Sequence, residues 1–396
     1  MLKEESMKVL YIDLDEIVKN DIVWGLVGLG VDVERVNEKA PIHGIDYECA
    51  ERICKILPRY SLVISQNFSA TVAEACHSIN VPYISWIYDC PQVAAFRNEA
   101  RYKECYIFMF DKMGVKRLQE AGINKVFHQS LAANVAMANG ISISDKDIEK
   151  YSADLSFVGS IYKSSFYEQL YRGLSEDIRK HFDSIFDRNY CKWMGNSIYD
   201  NLTADEINAI YSVMNKEELN ESAIPIGYLI DTLLFTTELA GKERKRLINK
   251  SSELCNTTLY TYNPEAFRNE IRAKAYAPVD SENEAYKVYY STKINLNVTL
   301  HSIETGIPQR VFDIMSVGGF VLSNYQEEIG ELFDIDKDIV VFRNIEEYED
   351  KVKYYLSHED ERIKIGINGY LRVRDNYTYP ILLEKIIDFV CKDWGI

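Results

Sequence analysis

Short β-rich runs alternate with helical stretches along most of this chain, and that alternation restricts it to folds in which parallel strands are joined by helices. "KVLYIDL", "SLVISQN", "VPYISWIYD" and "CYIFMFD" are strand-like, while "ATVAEACHSI" and "MGVKRLQEAG" have helical spacing. "VFHQSLAANV" reads as a last strand and the polar run "SISDKDIEKYSAD" as a crossing, which sets a boundary near residue 150. The pattern then restarts in "DLSFVGSIYKSSFYEQL" with a strand, a Gly159-Ser160 turn and a helix, as in the first βα unit of a nucleotide-binding lobe. From about 165 to 253 the residues favour helix and are poor in glycine and proline, so an all-helical insertion is expected before strands return at "TTLYTY" and "IRAKAYAPV". The predicted architecture is α/β: two Rossmann-like lobes, 1–150 and 151–378, the insertion in the second, and a helix within 379–396 packing back on the lobes. A chain of 396 residues is long enough for two such cores.

The net charge of -16 argues against nucleic acid or an anionic membrane surface as the main partner, since both would repel the averaged field. No apolar run approaches the roughly 20 residues of a membrane helix, so no transmembrane segment is expected. "MLKEESMKVLYIDLDEIV" reads as a first strand and not a signal peptide, which suggests the cytoplasm. The 8 cysteines are scattered without a CxxC pair, which fits reduced core thiols and no structural metal.

Ligands of parallel sheets sit at the carboxyl ends of the strands, so the loops after "SFV", "KINLNVTL" and "FVLSN" should line one crevice. One of them, "HSIETGIPQRVFDIMSVGGF", puts a turn at Gly306, a helix start at Pro308 and a stop at Gly318-Gly319. A helix starting there presents free N–H groups, which favour a phosphate. Arg310 in its first turn adds a forked donor, and Asp313, on the same face, can accept from the adjacent hydroxyls of a ribose. The alternative is an internal Arg310–Asp313 ion pair that only fixes the turn. Gly159, Ser160 and Tyr162, together with Lys293, Asn297 and His301, are the further candidates for holding a nucleotide; Lys293 and His301 could balance charge on a leaving phosphate. In "WIYDCP", Asp89 ends a strand of the first lobe, where it could serve as a general base or cap a helix at Pro91. "DLD" at Asp13–Asp15 and "DKD" at Asp145–Asp147 look like metal-binding DxD but fall outside these loops, so no metal and no cofactor are expected.

"STKINLNVTLHSIETGIPQRVFDIMSVGGFVLSNYQEEIGELF" resembles the C-terminal signature of the CgeB-like, spore-maturation-type glycosyltransferases of the GT-B superfamily. "SWIYDCP", "IFMFDKMGVKRLQEAGINKVFHQSLAAN" and "DLSFVGSIY" resemble further blocks of that family in the same order. The resemblance implies two facing lobes, the second holding a nucleotide-sugar donor and the first the acceptor, with no metal requirement. It carries the "GIPxRxFDxMxxGG" block onto Gly306, Ile307, Pro308, Arg310, Phe312, Asp313, Met315, Gly318 and Gly319. Where a glutamate commonly holds the ribose in the wider superfamily, this chain has Asp313. The "WxxDxP" block carries a catalytic or acceptor-binding role onto Asp89.

The expected activity is transfer of a sugar from a nucleotide diphosphate-sugar to a hydroxyl of a protein or glycan acceptor, on a bacterial surface component. Two other classes stay open. A nucleotide-sugar epimerase on the same fold would need acid/base residues on both faces of the sugar, and a non-catalytic nucleotide-sugar-binding or scaffold protein would keep the clamp without turnover.

Overall fold

The computed structural model describes residues 7–16, 18–41, 44–162, 165–191, 202–211, 224 and 226–396. They form two compact units: the first holds the chain up to Ala132 and again from Tyr377 to Ile396, and the second most of what lies between. None of the described helices is long and apolar enough to cross a membrane.

The first unit is a six-stranded parallel sheet of order β2-β1-β3-β4-β5-β6, made of β1 (Lys8–Asp13), β2 (Asp32–Asn37), β3 (Leu62–Gln66), β4 (Tyr83–Ile87), β5 (Cys105–Met109) and β6 (Val126–His128). Every residue of β3, β4 and β5 is buried, as expected of strands covered on both faces. The helix Tyr379–Trp394 places Tyr379, Leu382, Leu383, Ile386, Ile387 and Val390 in the core beside Trp86, Tyr106 and Ile64. Their spacing of three and four is the inward stripe of an amphipathic helix, and each such side chain contributes about 1.5–3 kcal/mol on burial.

The second unit is also a six-stranded parallel sheet, ordered β12-β11-β10-β7-β8-β9. Its strands are β7 (Ala153–Val158), β8 (Thr257–Tyr260), β9 (Lys274–Tyr276), β10 (Thr292–Asn297), β11 (Val321–Asn324) and β12 (Val340–Phe342). The first strand of the unit, β7, is central, and the order reverses between β7 and β10; a doubly wound sheet opens a ligand crevice at that point, beyond the carboxyl ends of the two strands. Between β7 and β8 the described elements are helical: Ser165–Gly173, Glu176–Asn189, Ala204–Tyr211, and Ile226–Ile230 running through Asp231–Thr236 into Thr237–Leu254. These helices fall within the insertion expected at 165–253, of which residues 192–201, 212–223 and 225 lie outside the described residues.

The units divide at Ala132–Ala133 and not near 150. The stretch expected to be a polar crossing contains the helix Asp145–Tyr151, started by a reciprocal Ser144/Asp147 cap. That helix is fastened to the second unit: Asp147 pairs with Lys287 at 3.1 Å, and the Tyr151 hydroxyl donates to Glu284 at 2.6 Å.

Candidate functional site

At the carboxyl end of β7 lie the buried Phe157 and then Gly159, whose φ of +154° suits only glycine. A Cβ there would collide with Arg310 Nη2, so glycine also makes the space that the guanidinium occupies. Arg310 reaches this point from the helix Gln309–Ser316. Its Nη1 donates to Asn297 Oδ1 at 3.1 Å, and its Cζ lies 4.9 Å from the centre of the Phe157 ring, a cation–π contact. Asn297, at the end of β10, is itself held: its Nδ2 donates to Thr299 Oγ1 at 3.0 Å and to Ser323 Oγ at 2.9 Å. The buried Tyr289 also adjoins Arg310; burial raises its hydroxyl pKa, against the pull of the Arg310 charge.

The helix begins one residue later than the sequence suggests, with Pro308 as its cap in an extended conformation and no capping bond from the Pro308 side chain. The preceding loop, 298–308, is sewn down. Thr299 N donates to Asn324 Oδ1 at 2.7 Å, Gln326 Nε2 to the Ile303 carbonyl at 2.9 Å, and Thr305 Oγ1 to Glu328 Oε1 at 2.8 Å. Gly306 is buried in this loop. The helix ends with Gly318 at φ +71° and bonds from Gly318 N to Met315 O and Gly319 N to Ile314 O, a glycine-terminated stop.

Arg310 makes no ion pair with Asp313, and among the described residues no carboxylate pairs with it. Asp313 Oδ1 instead accepts from Gln309 Nε2 at 2.7 Å. The internal ion pair left open by the spacing is therefore not what this helix contains.

A second guanidinium, which the sequence does not single out, lies beside the first. Arg244, on the helix Thr237–Leu254, is 3% exposed and donates to the Ser160 carbonyl at 2.8 Å and to the Val298 carbonyl at 2.7 Å. Its Cζ is 5.3 Å from the Phe157 ring centre and 4.8 Å from that of Tyr162. Burial brings Arg244 down to about 10, with Tyr162 opposing and the Arg310 charge adding, so it stays charged at neutral pH. Next to it the fully buried Glu243 meets His301 Nε2 at 2.9 Å. Burial lowers the His301 pKa, but the Glu243 carboxylate outweighs it and the result is a raised value.

Gly159, Ser160, Tyr162, Asn297, His301, Pro308 and Arg310 thus gather around the switch point through contacts and strand ends. Lys293, Gly318 and Gly319 do not. Lys293 is the second residue of β10 and pairs with Asp154 at 2.8 Å near the start of β7, while Gly318-Gly319 lead into β11. All three lie at the amino ends of the strands, a strand length of roughly 13 Å or more from Asn297.

In the first unit, three strand ends converge where its own order reverses. After β3, Asn67, at φ +57° and buried, donates from Nδ2 to Asp89 Oδ2 at 2.8 Å and to Glu16 Oε1 at 2.9 Å. Its Oδ1 accepts from the backbone N–H groups of Tyr88 and Asp89. Asp89 is thus held by Asn67 and does not cap a helix; the residue reaches solvent, yet its carboxyl is crowded enough that burial raises its pKa against the Asn67 bond. Burial pushes Glu16 up to about 8, opposed by Asn67 and aided by the Asp89 and Asp13 charges. Of the acidic pairs set aside above, Asp13 binds Arg35 and Asp147 caps a helix. Among the described residues no three His, Cys, Asp or Glu side chains are gathered so as to hold a metal ion.

Residues 244–388 match the family model described as "Glycosyl transferase-like", a stretch that opens at Arg244 and contains β10, the 298–308 loop and Arg310. A comparison with curated proteins finds no match. Among solved structures the chain is similar to a glycosyltransferase from Rickettsia africae, at 11% identity over 98% of each chain and a TM-score of 0.53. It is similar to Anabaena HepE in complex with UDP-glucose, at 9% identity, 98% of this chain and 100% of that one, TM-score 0.54. It is also similar to sucrose-phosphate synthase from Thermosynechococcus elongatus, at 8% identity, 98% and 99%, TM-score 0.56. The fold, two six-stranded parallel sheets flanked by helices, is that of the GT-B glycosyltransferases.

Proposed function

We propose that the chain is a CgeB-like glycosyltransferase that moves a sugar from a nucleotide diphosphate-sugar to a hydroxyl of a protein or glycan acceptor, a bacterial surface component. The observation that carries this reading is Arg310. A half-buried guanidinium with no carboxylate partner among the described residues is fixed by Asn297 and Phe157 at the switch point of the second unit, on the first turn of the helix Gln309–Ser316. Such a position suits the diphosphate of a donor. The match of residues 244–388 to a glycosyltransferase-like family, and a neighbour in complex with UDP-glucose, support a uridine-type donor among the candidates.

In the reaction, the bond between the sugar C1 and the diphosphate oxygen breaks while a bond from C1 to the acceptor oxygen forms. The nucleoside diphosphate leaves with the electron pair of the broken bond. Arg310 and the helix N-terminus stabilise the growing charge on the leaving oxygens, so the step runs without a metal. Asp313, on the same helix, accepts from the ribose hydroxyls. Asp89 takes the acceptor's proton; its raised pKa makes it a stronger base than an ordinary aspartate, and the Asn67 amide fixes its carboxylate. His301, fastened to Glu243, holds the loop that leads into the helix, and Lys293, Gly318 and Gly319 take no part. The protein would work in the cytoplasm.

The test is release of nucleoside diphosphate from a panel of nucleotide-sugars, with and without candidate glycans and protein acceptors. Acceptor-dependent release that falls at least 100-fold in Arg310→Ala is expected. Full transfer activity in that variant contradicts the assignment. Acceptor-independent sugar conversion would indicate an epimerase, and binding without turnover a scaffold.

A further inference from the structure

The last helix of the insertion grips the loops after β7 and β10 from a single turn. At Gly241 it runs so close to the Tyr162 carbonyl that a Cβ has no room. Glu243 holds His301 in the β10 loop and also accepts from Cys191 N, at the end of the helix Glu176–Asn189, at 2.6 Å. Arg244 takes one carbonyl from each loop, Ser160 and Val298. Its two terminal nitrogens therefore bridge the strands between which the sheet order reverses.

Arg244 and Arg310 stand against the same ring, Phe157. Among the described residues the hydrogen bonds of both guanidiniums go to neutral oxygens, of Ser160, Val298 and Asn297, and Arg244 Nε is buried without a hydrogen-bond partner. The Glu243 charge offsets part of the cost at Arg244, but two guanidiniums placed together still repel each other, and a buried charge is costly unless its counter-charge is sufficient. An anion at Arg310 would supply one. Neighbouring ion pairs show that the chain has carboxylates close by: Glu243 lies one residue from Arg244 and is committed to His301.

We infer that Arg244 is a positioning residue for the donor's diphosphate: it fixes the loops after β7 and β10 and supplies the second positive charge of a two-guanidinium site, while Arg310 makes the contact. This rests on the donor site proposed above. It gives the helical insertion a task, since its final helix builds the frame in which Arg310 meets the ligand.

The experiment is calorimetric titration of the full chain with inorganic pyrophosphate at low and high salt, for wild type, Arg244→Met and Arg244→Lys, with melting temperatures alongside. Pyrophosphate carries the two phosphates without committing to a base. Arg244→Met, which keeps the apolar stem, should bind about 10- to 30-fold more weakly with a shallower salt dependence, the size expected for unit charges several ångströms apart in a partly buried site. Arg244→Lys keeps the charge but cannot reach both carbonyls, so it should lose affinity to a smaller extent with the wild-type salt dependence. A folded Arg244→Met that binds as tightly as wild type overturns the inference. So does a loss that leaves the salt dependence unchanged, which marks a purely structural arginine. If the methionine variant fails to fold, wild-type affinity in the lysine variant overturns it equally. Wild type that binds neither pyrophosphate nor any nucleoside diphosphate defeats the donor-site reading itself, a separate and recognisable failure.

Discussion

Replacing Gly159 with alanine should damage the donor site through a residue that touches no donor. The added methyl meets two obstacles at once. The backbone φ of +154° lies in a region that residues with a Cβ adopt at a cost of about 1–3 kcal/mol. The methyl also falls within contact distance of Arg310 Nη2, so the guanidinium must leave its place. Leaving it breaks the 3.1 Å bond to Asn297, a charged hydrogen bond with a net contribution of about 1.5–3 kcal/mol. If Arg310 holds the diphosphate with a bond of the same kind, nucleotide affinity should fall roughly 10- to 100-fold. The strain should lower the melting temperature by a few degrees to about 10 °C, for a unit of this size. Calorimetry with the preferred nucleoside diphosphate and a thermal melt measure the two effects. A double variant, Gly159→Ala with Arg310→Ala, should bind no more weakly than Arg310→Ala alone, since both changes remove one interaction. Unchanged affinity in the single variant, or fully additive losses in the double, refutes the reasoning.

Asp89→Asn should lower kcat by about 10²- to 10⁴-fold while leaving nucleotide affinity within twofold of wild type, because the general base acts on the acceptor and not on the donor; equal losses in both would place Asp89 elsewhere. Glu16, pushed up from an ordinary 4.5 to about 8, is favoured in its neutral form in the folded protein. Its contribution to stability is therefore full below the ordinary value and is lost as pH rises through about 8. Glu16→Gln should match wild type near pH 4 and exceed it near pH 9, by up to a few kcal/mol reduced by partial solvation, in chemical denaturation at a series of pH values. Lys293→Ala should change nucleotide affinity less than twofold, since Lys293 pairs with Asp154 at the far end of β10; a tenfold loss would return it to the donor site.

The fold was legible because the strands are short, β-rich and separated by helices at regular intervals, and the insertion showed itself by the loss of that rhythm. Gly306, Pro308 and Gly318-Gly319 marked the turn, start and stop of the helix that carries Arg310, to within a residue. Less could be read where the chain returns from a distance. Arg244 stands in the basic run "KERKRL", which has the composition of an exposed helix face, and only the fold shows that it is buried against Phe157. Glu16 and Asn67 meet Asp89 across three strand ends, a convergence that no local spacing encodes. Lys293 lies outside the site for a simpler reason: it stands near the start of β10 and His301 beyond its end, so the two lie at opposite ends of the strand. Strand direction alone would have separated them. The units divide ahead of the expected 150 because the polar stretch there is a helix of the second unit, and the spacing of Ser144 and Asp147 is that of its cap.

The central claim is that Arg310 holds the diphosphate of a nucleotide-sugar, and calorimetric titration with UDP, GDP, ADP, TDP and CMP tests it most directly. Wild type and Arg310→Ala should be titrated with and without magnesium. The account predicts tight binding of one diphosphate by wild type, independent of magnesium, and a loss of at least tenfold in the variant. Equal affinity in the two proteins, or no binding of any nucleotide by wild type, would contradict it.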